Sequence, residues 1–261
     1  MAQNPVINRF GRESGGNYPA PSAGQLQGMY DQPAYAGPRQ GQGFMTLDDV
    51  VQRTAAMLAT IFVAGAIAWV ALPDSLFVPG LIIGAMGGLV LGLYMSFTGK
   101  VKPATALLYS AFEGVFLGAI SRVFEQRWDG IVIQAVAGTT MVAAGMLFVY
   151  KIGAIRVTPK FTRIIVGATF GVVGLMLVNM VAYLFTPGGL GLRDGGPLAI
   201  VFSLVCIVIA AMNLVLDFDM IERGIRNGAP QKMAWLAAFG LTVTLVWLYL
   251  EILRLLGNLR R

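Results

Sequence analysis

The sequence predicts an all-α fold, a polytopic membrane protein with seven transmembrane helices. Three observations predict it. The 261 residues are 56% hydrophobic and 12% charged, too apolar for an ordinary soluble domain. Seven apolar runs follow one another, each long enough to cross ~30 Å of hydrocarbon as a helix. Lysines and arginines gather in alternate connections between the runs, where topology explains them. No basic stripe with interleaved aromatics accompanies the net charge of +6, so no nucleic-acid partner is expected.

Met1 to Phe44 precede the first run. They are rich in Gly, Pro, Gln, Ser, Asn and Tyr and lack apolar periodicity. Such a segment buries too little surface to offset chain entropy, so residues 1–44 read as a disordered cytoplasmic tail and 45–261 as the membrane domain. No apolar run behind a basic start marks a signal peptide. Tyr18, Tyr30 and Tyr35 suit either protein contacts or a solvated tail.

Thr46-Leu47-Asp48-Asp49 has the spacing of a capping box, which starts a helix running to about Leu72. Further spans are predicted at about Leu76–Phe97, Ala104–Phe124, Ile131–Tyr150, Thr162–Phe185, Leu198–Leu216 and Met233–Leu256. Turn chemistry separates them at Thr98-Gly99-Lys100, Arg127-Trp128-Asp129-Gly130, Pro187-Gly188-Gly189 and Arg193-Asp194-Gly195-Gly196-Pro197. Arg53, Lys100/Lys102, Lys151/Arg156/Lys160/Arg163 and Arg223/Arg226/Lys232 fall on one side. The other side has Asp74, Arg122/Arg127 offset by Glu125/Asp129, and Arg193 offset by Asp194. The excess of positive charge places the N-terminus in the cytoplasm. Arg260 and Arg261 would then lie outside, a mild exception that a re-entrant last span would remove. Small residues recur at Gly84 to Gly92, at Gly114 and Gly118, and at Gly167, Gly171 and Gly174, where close helix packing is expected.

The stretch from Asn213 to Glu251 concentrates the chemistry. Carboxylates in or beside membrane spans are costly and mark functional candidates. Asp217 ends the sixth predicted span, four residues after Asn213 and on the same helical face, which would line a polar path. Asp219 and Glu222 form a second face toward a basic turn and suit a solvated helix end. Glu251 lies deep in the last run, seven residues after Thr244. Arg254, three residues on, is placed to pair with it. Glu113 sits near the middle of the third span, either as a neutral hydrogen-bonding group or as an ion site. Histidine is absent, which removes His-based triads, His metal sites and the ordinary physiological-pH switch. Any pH response must then come from carboxylates. The single cysteine, Cys206, reads as a small buried hydrophobe.

Three segments carry a family resemblance. Asp217-Phe218-Asp219-Met220-Ile221 resembles the acidic signature closing the sixth helix of the Bax inhibitor (transmembrane Bax inhibitor motif) family. Leu248-Tyr249-Leu250-Glu251-Ile252-Leu253-Arg254-Leu255-Leu256 resembles its last helix. Phe112-Glu113-Gly114 behind Lys100-Val101-Lys102-Pro103 resembles its basic loop and third helix. About Met45 to Leu256 is thus similar to a bacterial form of that family. The resemblance implies seven helices with the last one central. It also implies a proton-sensitive calcium leak governed by two hydrogen-bonded acids on the sixth and seventh helices. Asp217 matches the first acid. For the second, one register of the last helix offers Glu251 and the other Thr244. Glu251 lies about 27 Å along that helix from Met233 at about 1.5 Å per residue, which favours Thr244 opposite Asp217. In that register Glu113 and Glu251 form a separate acidic site.

On this reading Asp217 and Glu251 are the cation-binding carboxylates. Glu113, Thr244 and Asp219 complete the proton- and ion-sensing set, with Asn213 and Arg254 as accessories. Calcium binds oxygen ligands, and buried carboxylates supply them. No resident cofactor is expected, only calcium in passage. The expected partners are the lipid bilayer, calcium ions, protons and other membrane proteins, and the expected location is the plasma membrane. No enzyme is expected: HExxH is impossible without His, GxSxG is absent, and Asp217 and Asp219 sit too near a helix end for an intramembrane aspartyl pair. A retinal receptor would need a lysine inside the last span. The competing reading is a non-transporting membrane protein that modulates membrane proteases or stress responses.

Overall fold

The structure, a computed structural model, describes residues 43–260. The predicted disordered tail lies outside the described residues except for Gly43 and Phe44. The helices are α1 (Leu47–Ala71), α2 (Asp74–Thr98), α3 (Pro103–Arg127), α4 (Ile131–Lys151), α5 (Pro159–Tyr183), α6 (Pro197–Arg226) and α7 (Met233–Leu259). All seven are long and apolar enough to cross a membrane, as the sequence predicts. No strand is formed among the described residues. The protein is a multi-pass membrane protein.

Local chemistry sets the boundaries. Thr46 Oγ1 accepts from Asp49 N at 3.1 Å, and Asp49 Oδ2 accepts from Thr46 N at 3.1 Å. This is the predicted capping box, of a kind worth about 1 kcal/mol. Thr158 caps α5 through Phe161 N and Pro159 opens it, so α5 begins before the predicted Thr162. Gly99 ends α2 at φ 62°, a left-handed conformation that favours glycine. The sixth helix continues from the predicted end at Leu216 to Arg226. Asp219–Arg223 at 2.7 Å and Glu222–Arg226 at 3.9 Å, each one turn apart, carry it on. The last helix runs unbroken from Met233 to Leu259, about 40 Å at about 1.5 Å per residue, so it crosses and does not re-enter. Arg260 folds onto the α3–α4 turn, donating to Asp129 O at 3.1 Å and Gln134 Oε1 at 2.8 Å.

The bundle therefore has a basic end, with the α2–α3, α4–α5 and α6–α7 turns, and a far end with the other turns and Arg260. The last helix is central. It packs on α6, α1, α4 and α3, and its most apolar stretch is 56% buried against 11% in α2. Leu248, Ile252 and Leu253 of α7 form one core cluster with Ile131, Ala135, Ala210 and Leu214. At the basic end the chain entering α1 is clamped to the α6–α7 turn. Phe44 pairs with Pro230, Met45 N donates to Ala229 O at 2.8 Å, and Gln231 Nε2 donates to Asp49 Oδ1 at 2.8 Å.

Small residues act as expected in only part of the bundle. A Cβ on Gly114 would stand 2.6 Å from Ile61 O, and one on Gly84 would stand 2.8 Å from Phe116 N. Here α3 meets α1 and α2 backbone to backbone. The expectation fails for Gly167, Gly171 and Gly174, whose added Cβ would meet nothing within 4 Å. The reason is that α5 packs chiefly on α6 and turns these glycines away from any neighbour. Between α1 and α4 lies a cavity of about 930 Å³, lined by Phe62, Trp69, Leu117, Val136 and Leu245 among others. The hydroxyls of Thr139 and Thr140 on its wall are already bonded to their own helix.

Candidate functional site

The seam between α6 and α7 holds Thr244 and Glu251, while Thr54, Ser110, Ser121 and Asn179 are buried on other helices. The two seam helices run antiparallel, so the basic-end part of α6 faces the first half of α7. Thr244 Oγ1 stands 2.7 Å from Asp217 Oδ2 and 3.2 Å from Gly240 O. A hydroxyl has one proton to give, and the carboxylate is the nearer and better acceptor. Gly240 leaves room for the acid: a Cβ there would lie 3.7 Å from Asp217 Oδ1. Asp217 is half-buried and Thr244 is buried. The structure thus realises the register that sets Thr244 opposite Asp217.

Glu251 belongs to a second station. It lies seven residues beyond Thr244, about 10 Å farther along α7 at about 1.5 Å per residue. Only 1% of it is exposed. Its Oε1 accepts from Arg254 Nη1 at 3.0 Å, the pair expected from the sequence. It also accepts from Arg193 Nη2 at 3.4 Å. Asp217 and Glu251 are therefore not brought together. Among the described residues no three His, Cys, Asp or Glu side chains converge to hold a metal.

The remaining candidates are dispersed. Asn213 donates to Thr169 Oγ1 at 2.8 Å and to Ile209 O at 2.9 Å. It ties α6 to α5, whereas Asp217, one turn on, bonds to Thr244 of α7. The carboxylate of Asp219 is held by Arg223 on its own helix. Glu222 also accepts from the Tyr150 hydroxyl, which links α4 to the end of α6. Glu113 faces α2, where a Cβ on Gly88 would sit 2.7 Å from Glu113 Oε1. Tyr109 lies one turn back in α3, and Glu113 does not share a site with Glu251.

Arg193 escaped the sequence reading, which set it against the adjacent Asp194. The signal was present in Glu251: a carboxylate deep in an apolar run calls for a cation, and Arg193 lies in a glycine-rich connection free to turn inward. The bond between Ser121 Oγ and Tyr249 OH, 2.6 Å, which joins α3 to α7, also has no sequence signature.

Comparison with known proteins places this geometry in context. Residues 4–261 match the family model described as Bax inhibitor 1 like. No curated protein matches the chain.

Proposed function

We propose that this chain, which belongs to the Bax inhibitor 1-like family by the match over residues 4–261, is a cation leak governed by Asp217 and Glu251 on the α6–α7 seam. It would lie in the plasma membrane with its basic end in the cytoplasm, in accord with the excess of Lys and Arg there. The carrying observation is the bond from Thr244 Oγ1 to Asp217 Oδ2, 2.7 Å, inside a helix pair. It leaves one carboxylate oxygen beside the space at Gly240.

The chemistry follows from that arrangement. A carboxylate with a hydroxyl beside it offers hard oxygen ligands of the kind calcium takes. One acid and one hydroxyl make a weak, incomplete shell, which suits an ion in passage. Protonation of Asp217 removes the negative charge and with it the attraction for a cation, and the acid then becomes a donor. The groups around it are the Thr244 hydroxyl, the Gly240 carbonyl and, on its own helix, the Asp219–Arg223 pair. The second acid of the family pattern is replaced by Thr244, so the proton response belongs to one carboxylate. The reading is of a transport protein, with no catalytic step assigned to any residue.

Calcium uptake into sealed proteoliposomes tests this. The full chain is expected to raise uptake well above that of protein-free vesicles. Uptake equal to that of empty vesicles, with the protein folded and inserted, would reject the leak and leave the non-transporting interaction protein.

A further inference from the structure

The Glu251 station is closed by a residue that does not belong to a helix. Arg193 lies in the connection between α5 and α6, and its guanidinium enters the bundle from the far end. One nitrogen, Nη2, reaches both Glu251 Oε1 at 3.4 Å and Met176 Sδ at 3.1 Å. The other nitrogen, Nη1, is buried without a protein partner, and so is Glu251 Oε2. Arginine and carboxylate commonly pair through two parallel bonds. Here they share one long bond, and a donor and an acceptor on the two groups are left over. Buried groups of this kind are costly unless another conformation or another guest uses them. Farther toward the same end, Ser203 Oγ on α6 and Asn258 Nδ2 on α7 are also buried and without a protein partner.

We infer that Arg193 is a removable plug, a tethered cation that occupies the place of a passing cation at Glu251 and closes the far end of the α6–α7 seam. Three features fit a part that withdraws. Arg254 also holds Glu251 Oε1, so the acid keeps a partner when Arg193 leaves. The connection carries glycines with positive φ at Gly188, Gly189, Gly191 and Gly195, which let it refold without side-chain strain. The one fully buried residue of the connection is Leu192, which joins Val172, Phe202 and Cys206, and Leu190 N donates to Asn179 Oδ1 at 2.9 Å. With Arg193 in place the station holds two cations to one carboxylate and repels a third. With Arg193 withdrawn, Glu251 and Arg254 balance, and Oε2 is an oxygen that neither arginine holds. The consequence for flux rests on the leak reading; the plug itself does not.

The chain supplies its own probe. Cys206 is its single cysteine and lies buried in the cluster that Leu192 joins. The rate at which a polar maleimide labels Cys206 in the full-length, detergent-purified protein therefore reads withdrawal of the plug. Arg193→Gln removes the charge that holds the plug and is expected to speed labelling by about tenfold or more. Arg193→Lys keeps a cation for a single-point contact and is expected to label near the native rate. Leu192→Ala, with every charge retained, is expected to speed labelling through the second anchor. Native-like labelling in both Arg193→Gln and Leu192→Ala would overturn the plug, as would Arg193→Lys labelling as fast as Arg193→Gln. Calcium flux in the same variants separates the two claims. Flux that rises with labelling supports both, whereas faster labelling with no flux in native or variant protein supports the plug and removes the leak.

Discussion

Asp217 and Glu251 show how two carboxylates on one seam come to have different work. Asp217 has a neutral partner, so its charge is not cancelled and remains available to an ion. Glu251 has two guanidinium groups on one oxygen and is a structural tie as long as Arg193 stays in. Substitution should separate them. Asp217→Asn keeps a carbonyl oxygen to accept the Thr244 hydroxyl, and the cost in stability should be under ~1 kcal/mol. Glu251→Gln leaves the partly exposed Arg193 and Arg254 side by side with no anion, and solvent screening keeps the cost below the about 3–5 kcal/mol of a fully buried pair. Thermal unfolding in detergent checks this: Glu251→Gln should unfold well below the native protein and Asp217→Asn close to it. Equal melting temperatures for all three proteins would mean that Glu251 is not a tie. At this scale the sequence was informative about which residues carry charge and less so about their partners. Asp217, Glu251 and Arg254 were legible from their places along two helices, and Thr244 from the family resemblance together with the length of the last helix. Arg193 was not, because a contact between a loop and a helix 58 positions away leaves no periodic trace. The partners of Asn213 and Asp217 were hidden for a related reason: a shared helical face does not decide which neighbouring helix each side chain will meet.

At the scale of the element, glycine placement decides which helices are fixed and which are loosely held. Gly118 of α3 is pressed against the backbone of Gly65 in α1, where an added Cβ would collide with the Gly65 carbonyl oxygen. Gly171 of α5 has open space around it. Gly118→Ala should therefore push α1 from α3 and lower stability by about 1–3 kcal/mol, while Gly171→Ala should be neutral or slightly stabilising. A comparison of the two by thermal unfolding is direct, and a larger loss at Gly171 would contradict the packing described. The seven spans and their order were readable because apolar runs of this length have few other uses. Which small-residue faces are occupied was not readable, since periodicity reports a face and not what lies against it. The continuation of α6 to Arg226 was hidden by its charges, which read as a helix end but act as pairs one turn apart that extend it.

The whole molecule is a bundle built around α7, with a clamped basic end and a far end covered by the α5–α6 connection. The clamp of Met45, Asp49 and Gln231 ties the α6–α7 turn to the start of α1, so the end of the seam nearest Asp217 is held fast. The α5–α6 connection at the far end, with Leu192 as its one fully buried residue, puts the movable part beside Glu251. A cation crossing along the seam would meet Glu251 and Asp217 in turn, separated by the apolar contacts of Ala210, Leu214 and Leu248. That separation favours a slow leak over an open pore, because no continuous row of oxygen ligands joins the two acids.

The measurement that tests this account most directly is calcium flux through proteoliposomes at pH about 8 and about 5, the lower pH bringing carboxylates nearer to protonation, for the native chain and Asp217→Asn. Flux in the native protein should be several-fold greater at the higher pH, and in Asp217→Asn it should be low and unchanged between the two. An Asp217→Asn protein that leaks as the native does, with the same dependence on pH, would contradict the assignment of the seam carboxylate as the group that admits the ion.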